Sequence, residues 1–569
     1  MSDLIRSSTA NVPPRIYEGL ASAFLAEGVD TQFCLLGDGN MHWSTAMMHA
    51  PGMKTYHARH EHCAVAMAMG YHSATGKIGV ASVTCGPGFT QVMTALTAAV
   101  RSRVPLVIFA GEVPLGAHWH SQMTDHHAFA AACGAHYIAA RSPRLMHQYV
   151  RDAFFVARHE RRPVVIGVPY DLQQQRMPDI APYEQSALAL PPVPCPIPDP
   201  QTMADIMERL LAARCPILVA GRGVLHAGAV DLVEKLADKV GALLGTTLLG
   251  RGMYDHHPFS VGVVGGFGRD IAREVGREAD LVVAIGASLS HHTLDGGRMF
   301  PKAHMVQIDN EPRGIWHGRR VADSYVRADA RLAVEHVIGQ FDKARTPMAA
   351  IRSADLARRI RDEPADRAEF AVEPGTLDPR QVFAELEKWL PKDYDIVPGD
   401  GHQSYFHTVM RGGDPAKYHS MTGFGAIGSD IAYAIGIAAA RGTGRVVLFE
   451  GDGSLLMHIQ ELELIKRQKL KLLIVCSNDG AYGSEIHKLR ADGMDDSGAI
   501  FGRTDLAAIA RGFGLRGETI TDVSQIGPLM RSYEQHGDAE LWNVHMSDKV
   551  VSPMMRATLE ARNEEKVST

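Results

Sequence analysis

Two apolar runs in the last third of the chain, Val446-Val447-Leu448-Phe449 and Leu472-Leu473-Ile474-Val475, each break into a turn rich in glycine and acid or amide side chains. The first leads into Gly451-Asp452-Gly453-Ser454 and the second into Ser477-Asn478-Asp479-Gly480. Apolar runs separated by a helix-length interval read as strands of a buried parallel sheet, whose carboxyl ends form the crevice where ligands sit. Gly453 lets the backbone approach an anion closely at the start of a helix. Mg²⁺ takes a few oxygen ligands and leaves room for phosphate oxygens, so Asp452, Asp479 and a nearby backbone carbonyl suit a metal that bridges a diphosphate. Clusters of Gly, Asp, Asn and Ser also punctuate ordinary loops, so the spacing and the rest of the chain must carry this reading.

A chain of 569 residues has room for three or four units. With 58 basic and 64 acidic residues, nothing points to a nucleic-acid or anionic-membrane partner, which leaves a small molecule. Seven cysteines without a CxxC pair suit a reducing cytoplasm. The stretch 1–14 lacks a basic and then apolar leader, and the apolar run 431–440 is too short to span a bilayer, so a soluble, unexported protein is expected.

Strand-like runs at 33–36, 79–84, 106–110 and 164–168 alternate with Ala-rich helical stretches in the first third. A proline-rich connector at 190–200, including Pro191, Pro192, Pro194 and Pro196, closes this unit. Runs at 217–220, 281–286 and 305–309 repeat the strand-turn-helix rhythm in a second unit, and a charged stretch near 345–379, read as a solvated helix face, precedes the third. The expected fold is α/β, with three doubly wound parallel-sheet domains at 1–185, 195–345 and 375–569. The glycines at 265–268 form no GxGxxG and read as turns, so a nucleotide or flavin in the central unit stays unassigned.

The GDG segment, a spacer of roughly two dozen residues and the Asn-containing turn resemble the signature of thiamine diphosphate enzymes of the pyruvate decarboxylase and acetolactate synthase superfamily. The chain departs from that signature at Asp479, which replaces the second of two asparagines and adds a negative charge, and the family's spacing implies metal ligands at Asp479 and the Ala481 carbonyl. The resemblance spans nearly the whole chain and implies pyrimidine-binding, central and diphosphate-binding domains in that order. It also implies thiamine diphosphate and Mg²⁺ as cofactors, and a homodimer or homotetramer with active sites at the subunit interface. Relatives place a glutamate in an Arg-His-Glu segment before a small-residue helix. Here that is Arg59-His60-Glu61, with Thr84-Cys85-Gly86-Pro87-Gly88 continuing the match. Glu61 would bond the aminopyrimidine N1′ and favour the tautomer that removes the thiazolium C2 proton. In Gly423-Phe424-Gly425-Ala426-Ile427-Gly428, the resemblance assigns Ile427 beneath the bend of the cofactor and the Gly425 carbonyl to its amino group. Gly401, His402 and Gln403 match the family's other diphosphate loop, and Gly453, Ser454, Asp479 and Tyr482 complete the cofactor-binding set.

Two matches bear on the reaction. Asp38 within Gly37-Asp38-Gly39-Asn40, the pair His126-His127, and Glu485 resemble the catalytic set of the 2-keto acid decarboxylases. They imply non-oxidative decarboxylation of a 2-keto acid through a C2 carbanion and an enamine, with release of an aldehyde. Gln122 in Ser121-Gln122-Met123 instead resembles the glutamine of acetolactate synthases and benzaldehyde lyase, which implies a carboligase or lyase making or cleaving 2-hydroxy ketones. In the central unit, Asp309-Asn310-Glu311-Pro312 is closer to this second branch. A catalytically silent cofactor-binding subunit is the alternative from another class, and the presence of Glu61 argues against it. Trp43, Trp119, Phe129 and Tyr482 are the aromatic candidates for a substrate pocket.

Overall fold

The computed structural model describes residues 13–568 apart from 192, 312–314, 317–318, 342–346, 348 and 422. Most of the amino-terminal stretch read for a leader, Pro192 of the connector and Pro312 of the central motif therefore lie outside the described residues. Three parallel sheets follow one another along the chain. The first has six strands in the spatial order Lys54–His57, Thr31–Cys34, Gly79–Val83, Leu106–Glu112, Val164–Pro169, His136–Ala139. The second, also of six strands, runs Ser324–Arg327, His304–Asp309, Leu281–Ile285, Pro216–Ala220, Leu243–Thr246, Ser260–Val263. The third has five, in the order Asp395–Pro398, Val446–Gly451, Leu473–Asn478, Glu540–His545, Arg516–Ile520.

Strand periodicity explains why each sheet is covered on both faces. In Leu106–Glu112, Val107 and Phe109 pack with Ile16, Leu20, Phe24 and Phe154 on one face. Ile108 and Ala110 pack with Ala64, Met67 and Leu96 on the other. Trp43 belongs to the first of these cores: it is fully buried, stacked on Phe109 at 4.2 Å and edge-on to Phe24 at 4.8 Å. The expectation that Trp43 lines a substrate pocket is therefore wrong, because an indole gains more by filling the helix–sheet layer.

One apolar cluster joins the first and third sheets, with Ala64, Met67 and Ala68 packed among Ile431, Ala434 and Ile435. The helices Glu61–Thr75 and Asp430–Arg441 cross here at contact distance. A Cβ on Gly70 would lie 2.0 Å from the Tyr433 carbonyl oxygen, and one on Gly436 would lie 2.0 Å from that of Met67, so only glycine permits this approach. The charged stretch before the third sheet also differs from expectation. Helix Ala354–Asp362 is docked rather than solvated, burying Leu356 and Ile360 in the central core while Arg359 pairs with Glu274 and Glu363. The arginines masked its two apolar anchors.

Candidate active site

The two acidic turns meet at the carboxyl end of the third sheet. Gly451 ends its strand, and Asp452 opens the helix Asp452–Met457. One Asp452 carboxylate oxygen accepts from the Gly453 N–H and the other from the Gly480 N–H, each at 2.8 Å, so this side chain ties the two halves of the motif together. Asp479 accepts from the Ala481 N–H at 3.2 Å. Asn478 is directed elsewhere, donating to the Thr504 carbonyl and to Asn543. Burial raises the Asp452 carboxyl to about 6. Burial and the Asp452 charge raise Asp479 to about 8. A buried carboxyl and a half-buried one that resist ionising side by side are what a bound divalent cation relieves. Tyr482 leans edge-on against Phe501, and a Cβ on Gly453 would lie 2.7 Å from the Tyr482 ring.

The cofactor-bend segment is held against this helix. The Ser454 hydroxyl accepts from the Gly428 N–H at 2.7 Å, and His458 Nδ1 donates to the Gly428 carbonyl at 2.7 Å. Gly425 and Gly428 take φ of +69° and +90°, which a side chain would strain, and Ile427 lies half-buried between them. On the neighbouring strand end, Gly401 has φ +130° and Gln403 donates to the Asp400 carbonyl at 3.0 Å. His402 is buried and held well below its ordinary range by burial and by His487, so it is neutral. Its Nε2 accepts from the Ser552 N–H at 3.0 Å, which puts the proton on Nδ1.

The sequence reading missed an acidic trio beneath these loops. Asp430 accepts from the Asp400 N–H at 3.1 Å, and Glu450 accepts from the Gly451 N–H at 3.1 Å. Burial raises all three carboxyls, Glu450 to about 8. An acid ending an apolar strand (Glu450) and another starting an apolar helix (Asp430) were the available signals.

The remaining candidates sit around the first sheet. Glu61 opens its helix half-buried, and burial raises its carboxyl. Gly88 lies beside it: a Cβ there would reach Glu61 Oε1 at an ordinary 3.4 Å but would crowd the Thr84 methyl at 2.6 Å. The Cys85 thiol donates to Gln122 Oε1 at 3.1 Å, and the Gly86 N–H donates to His126 Nε2 at 3.2 Å. His126 is buried against Phe89, and burial pushes it down. Its neighbour His127 points outward near Tyr137. Gln122 and His126, taken from competing readings, therefore share one polar wall around Gly86. Asp38 is exposed in a turn fixed by Asn40 and Thr84, and Glu485 is exposed and pairs with Lys488 at 3.2 Å. No hydrogen bond among the described residues joins either acid to that wall. The two halves of the chain touch near Glu61, where His62 meets the Ser429 hydroxyl at 2.8 Å and stacks on His458.

The donor set fits Mg²⁺ and thiamine diphosphate: two carboxylates at one strand-end crevice, a glycine at the helix start beside them, and a half-buried acid of raised pKa on the other sheet. Family models agree. The N-terminal TPP binding domain of thiamine pyrophosphate enzymes matches residues 15–132, the central domain 203–337, and the C-terminal TPP binding domain 401–541. The chain belongs to the thiamine diphosphate-dependent enzymes of the pyruvate decarboxylase and acetolactate synthase superfamily; thiamine diphosphate is its cofactor, and Mg²⁺ is the usual partner metal of the family.

Among its relatives, the acetolactate synthase large subunit of Parasynechococcus marenigrum (strain WH8102) is 29% identical, over 92% of this chain and 86% of that protein. Acetolactate synthase isozyme 2 large subunit of Escherichia coli (strain K12) is 27% identical, over 89% and 90%. Acetolactate synthase 1, chloroplastic, of Oryza sativa subsp. japonica is 27% identical, over 88% and 79%. Among the described residues, no helix is long and apolar enough to cross a membrane.

Proposed function

We propose that this enzyme removes carbon dioxide from a 2-keto acid and joins the remaining acyl unit to a second carbonyl compound. The observation that carries the reading is Gln122, whose carbonyl oxygen is engaged by the Cys85 thiol, leaving its NH₂ group as the donor for an acceptor carbonyl. The names of the relatives support the same branch. Thiamine diphosphate, when bound, would supply an electron-accepting thiazolium carbon for this chemistry.

The chain's own residues do the rest. Asp452, Asp479 and the Ala481 carbonyl would hold the metal, and Gly401, His402, Gln403 and Gly453 would line the diphosphate end, while Ser454 anchors the Gly428 turn. Ile427 and the Gly425 carbonyl would support the cofactor from below, with Tyr482 at the rim. Glu61, which burial makes reluctant to ionise, would hold a proton for the aminopyrimidine ring. His126 accepts the Gly86 N–H on Nε2, and its Nδ1 is buried without a hydrogen-bond partner among the described residues, so it would position the Gly86 loop from beneath.

A decarboxylase that releases free aldehyde is the second reading, supported by Asp38 and Glu485 at the family's spacing and by the pair His126-His127, one or two residues off it. We infer a homodimer or homotetramer whose subunits complete each other's sites. Exposed Met457, Phe424, Tyr482 and Phe501 near the diphosphate loops support that reading, and the free cysteines support a cytoplasmic setting. Incubation with single 2-keto acids and with 2-keto acid plus aldehyde tests the assignment. A 2-hydroxy ketone or acetohydroxy acid formed with the carbon dioxide is expected. Aldehyde in equal amount to carbon dioxide would transfer the assignment to the second reading, and absence of carbon dioxide with every substrate would end both.

A further inference from the structure

Where the central sheet's loops meet the third sheet, three arginines surround one small cavity. Arg251, Arg269 and Arg411 line it together with Asp255, Ser260, Phe267 and residues 408–410. Its volume of about 20 Å³ admits one particle the size of a water molecule or slightly larger. Arg251 is 5% exposed. Its guanidinium donates to the carbonyls of Thr408, at 3.0 Å, and Met410, and lies over the Tyr418 ring. Arg269 donates to the carbonyls of Ile360 at 3.0 Å and Glu363 at 2.6 Å, and its Nε is buried without a partner. Arg411 donates to the same Ile360 carbonyl at 2.7 Å.

Among the described residues, none of the three guanidiniums forms an ion pair with a carboxylate. The nearby acids are engaged by backbone instead: Asp255 accepts from the Gly412 N–H at 2.7 Å, and Glu387 from the Arg411 N–H at 2.6 Å. Carbonyls satisfy hydrogen bonds but do not neutralise charge, and buried cations left in excess are costly. Burial and Arg411 accordingly weaken the hold of Arg269 on its proton.

We propose that this cavity binds a small monovalent inorganic anion of chloride size, which neutralises the arginine cluster and locks the central unit to the third. The occupied cavity would fix Thr408 and Met410 through Arg251, and with them the helix Ser404–Thr408 that leads directly from the diphosphate loop Gly401–Gln403. The anion is thus a structural effector of the cofactor loop, independent of which reaction the enzyme performs.

Thermal unfolding of the full-length protein in sodium chloride, compared with sodium gluconate at equal ionic strength, tests this, because gluconate is too large to enter. A saturable rise of about 2 °C or more in the midpoint with chloride is expected, and its loss in Arg269→Gln. Crystals soaked in sodium bromide should show an anomalous peak between the three guanidiniums. Equal midpoints in chloride and gluconate, an undiminished chloride response in Arg269→Gln, or bromide only at other positions would each overturn the proposal. If Arg269→Gln does not fold, the chloride-against-gluconate comparison and the bromide position on the native protein decide.

Discussion

Replacing Asp479 by Asn probes the electrostatics of the metal end of the site. Burial and Asp452 push this carboxyl up to about 8, against about 3.9 in an unfolded chain. Between those values the folded state holds a proton that the unfolded chain has released. The folded pKa is the higher one, so the group is harmless below about pH 4 and its cost to stability grows as pH rises towards 8. At pH 7 the span is about three units, and at 1.36 kcal/mol per unit the cost is about 4 kcal/mol, an upper figure because water penetration relaxes buried charge. Asparagine keeps an oxygen for the Ala481 N–H and carries no charge. Metal-free Asp479→Asn should therefore exceed the native chain in stability by roughly 2 to 4 kcal/mol at pH 7 and match it near pH 4. Chemical denaturation with excess chelator across this range gives the comparison. Curves that stay parallel at every pH would refute the reasoning. Mg²⁺ with thiamine diphosphate should shrink the advantage, because the cation uses the ionised carboxylate.

Further outcomes follow from the same geometry. Mg²⁺ must displace protons from Asp479 and, at lower pH, from Asp452, so calorimetric titrations should show its affinity falling by up to about tenfold per unit between about pH 8 and 6 and more steeply below, with proton release measurable in buffers of different ionisation enthalpy. Gly70→Ala should destabilise the protein by about 3 kcal/mol or more, since its Cβ would meet backbone that cannot yield; an unchanged denaturation midpoint would contradict the helix crossing. Gln122→Ala should lower the ratio of ligated product to aldehyde at unchanged carbon dioxide release, whereas loss of both in parallel would place Gln122 in the shared first step.

Much of the third sheet was legible because each apolar strand runs into its acidic turn without interruption, so chemistry and topology coincide at Asp452 and Asp479. Side-chain direction was not. His126 and His127 are adjacent in sequence, and only helix geometry sends one inward onto Phe89 and the other out. Contacts between distant segments were equally hidden. Nothing local to Gly70 or His62 announces Gly436 or Ser429, because small residues and histidines are ordinary on helices. The acidic trio escaped because Asp400, Asp430 and Glu450 become a cluster only when strand ends and a helix start converge.

The account rests on Glu61 acting on a cofactor held by Asp452 and Asp479. Hydrogen–deuterium exchange at the thiazolium C2 of bound thiamine diphosphate tests it most directly, read by rapid acid quench and NMR for the native protein and for Glu61→Gln, with cofactor occupancy measured alongside. Fast exchange in the native enzyme, slowed at least about a hundredfold in Glu61→Gln at full occupancy, is the predicted result. Equal exchange rates in the two proteins would contradict it.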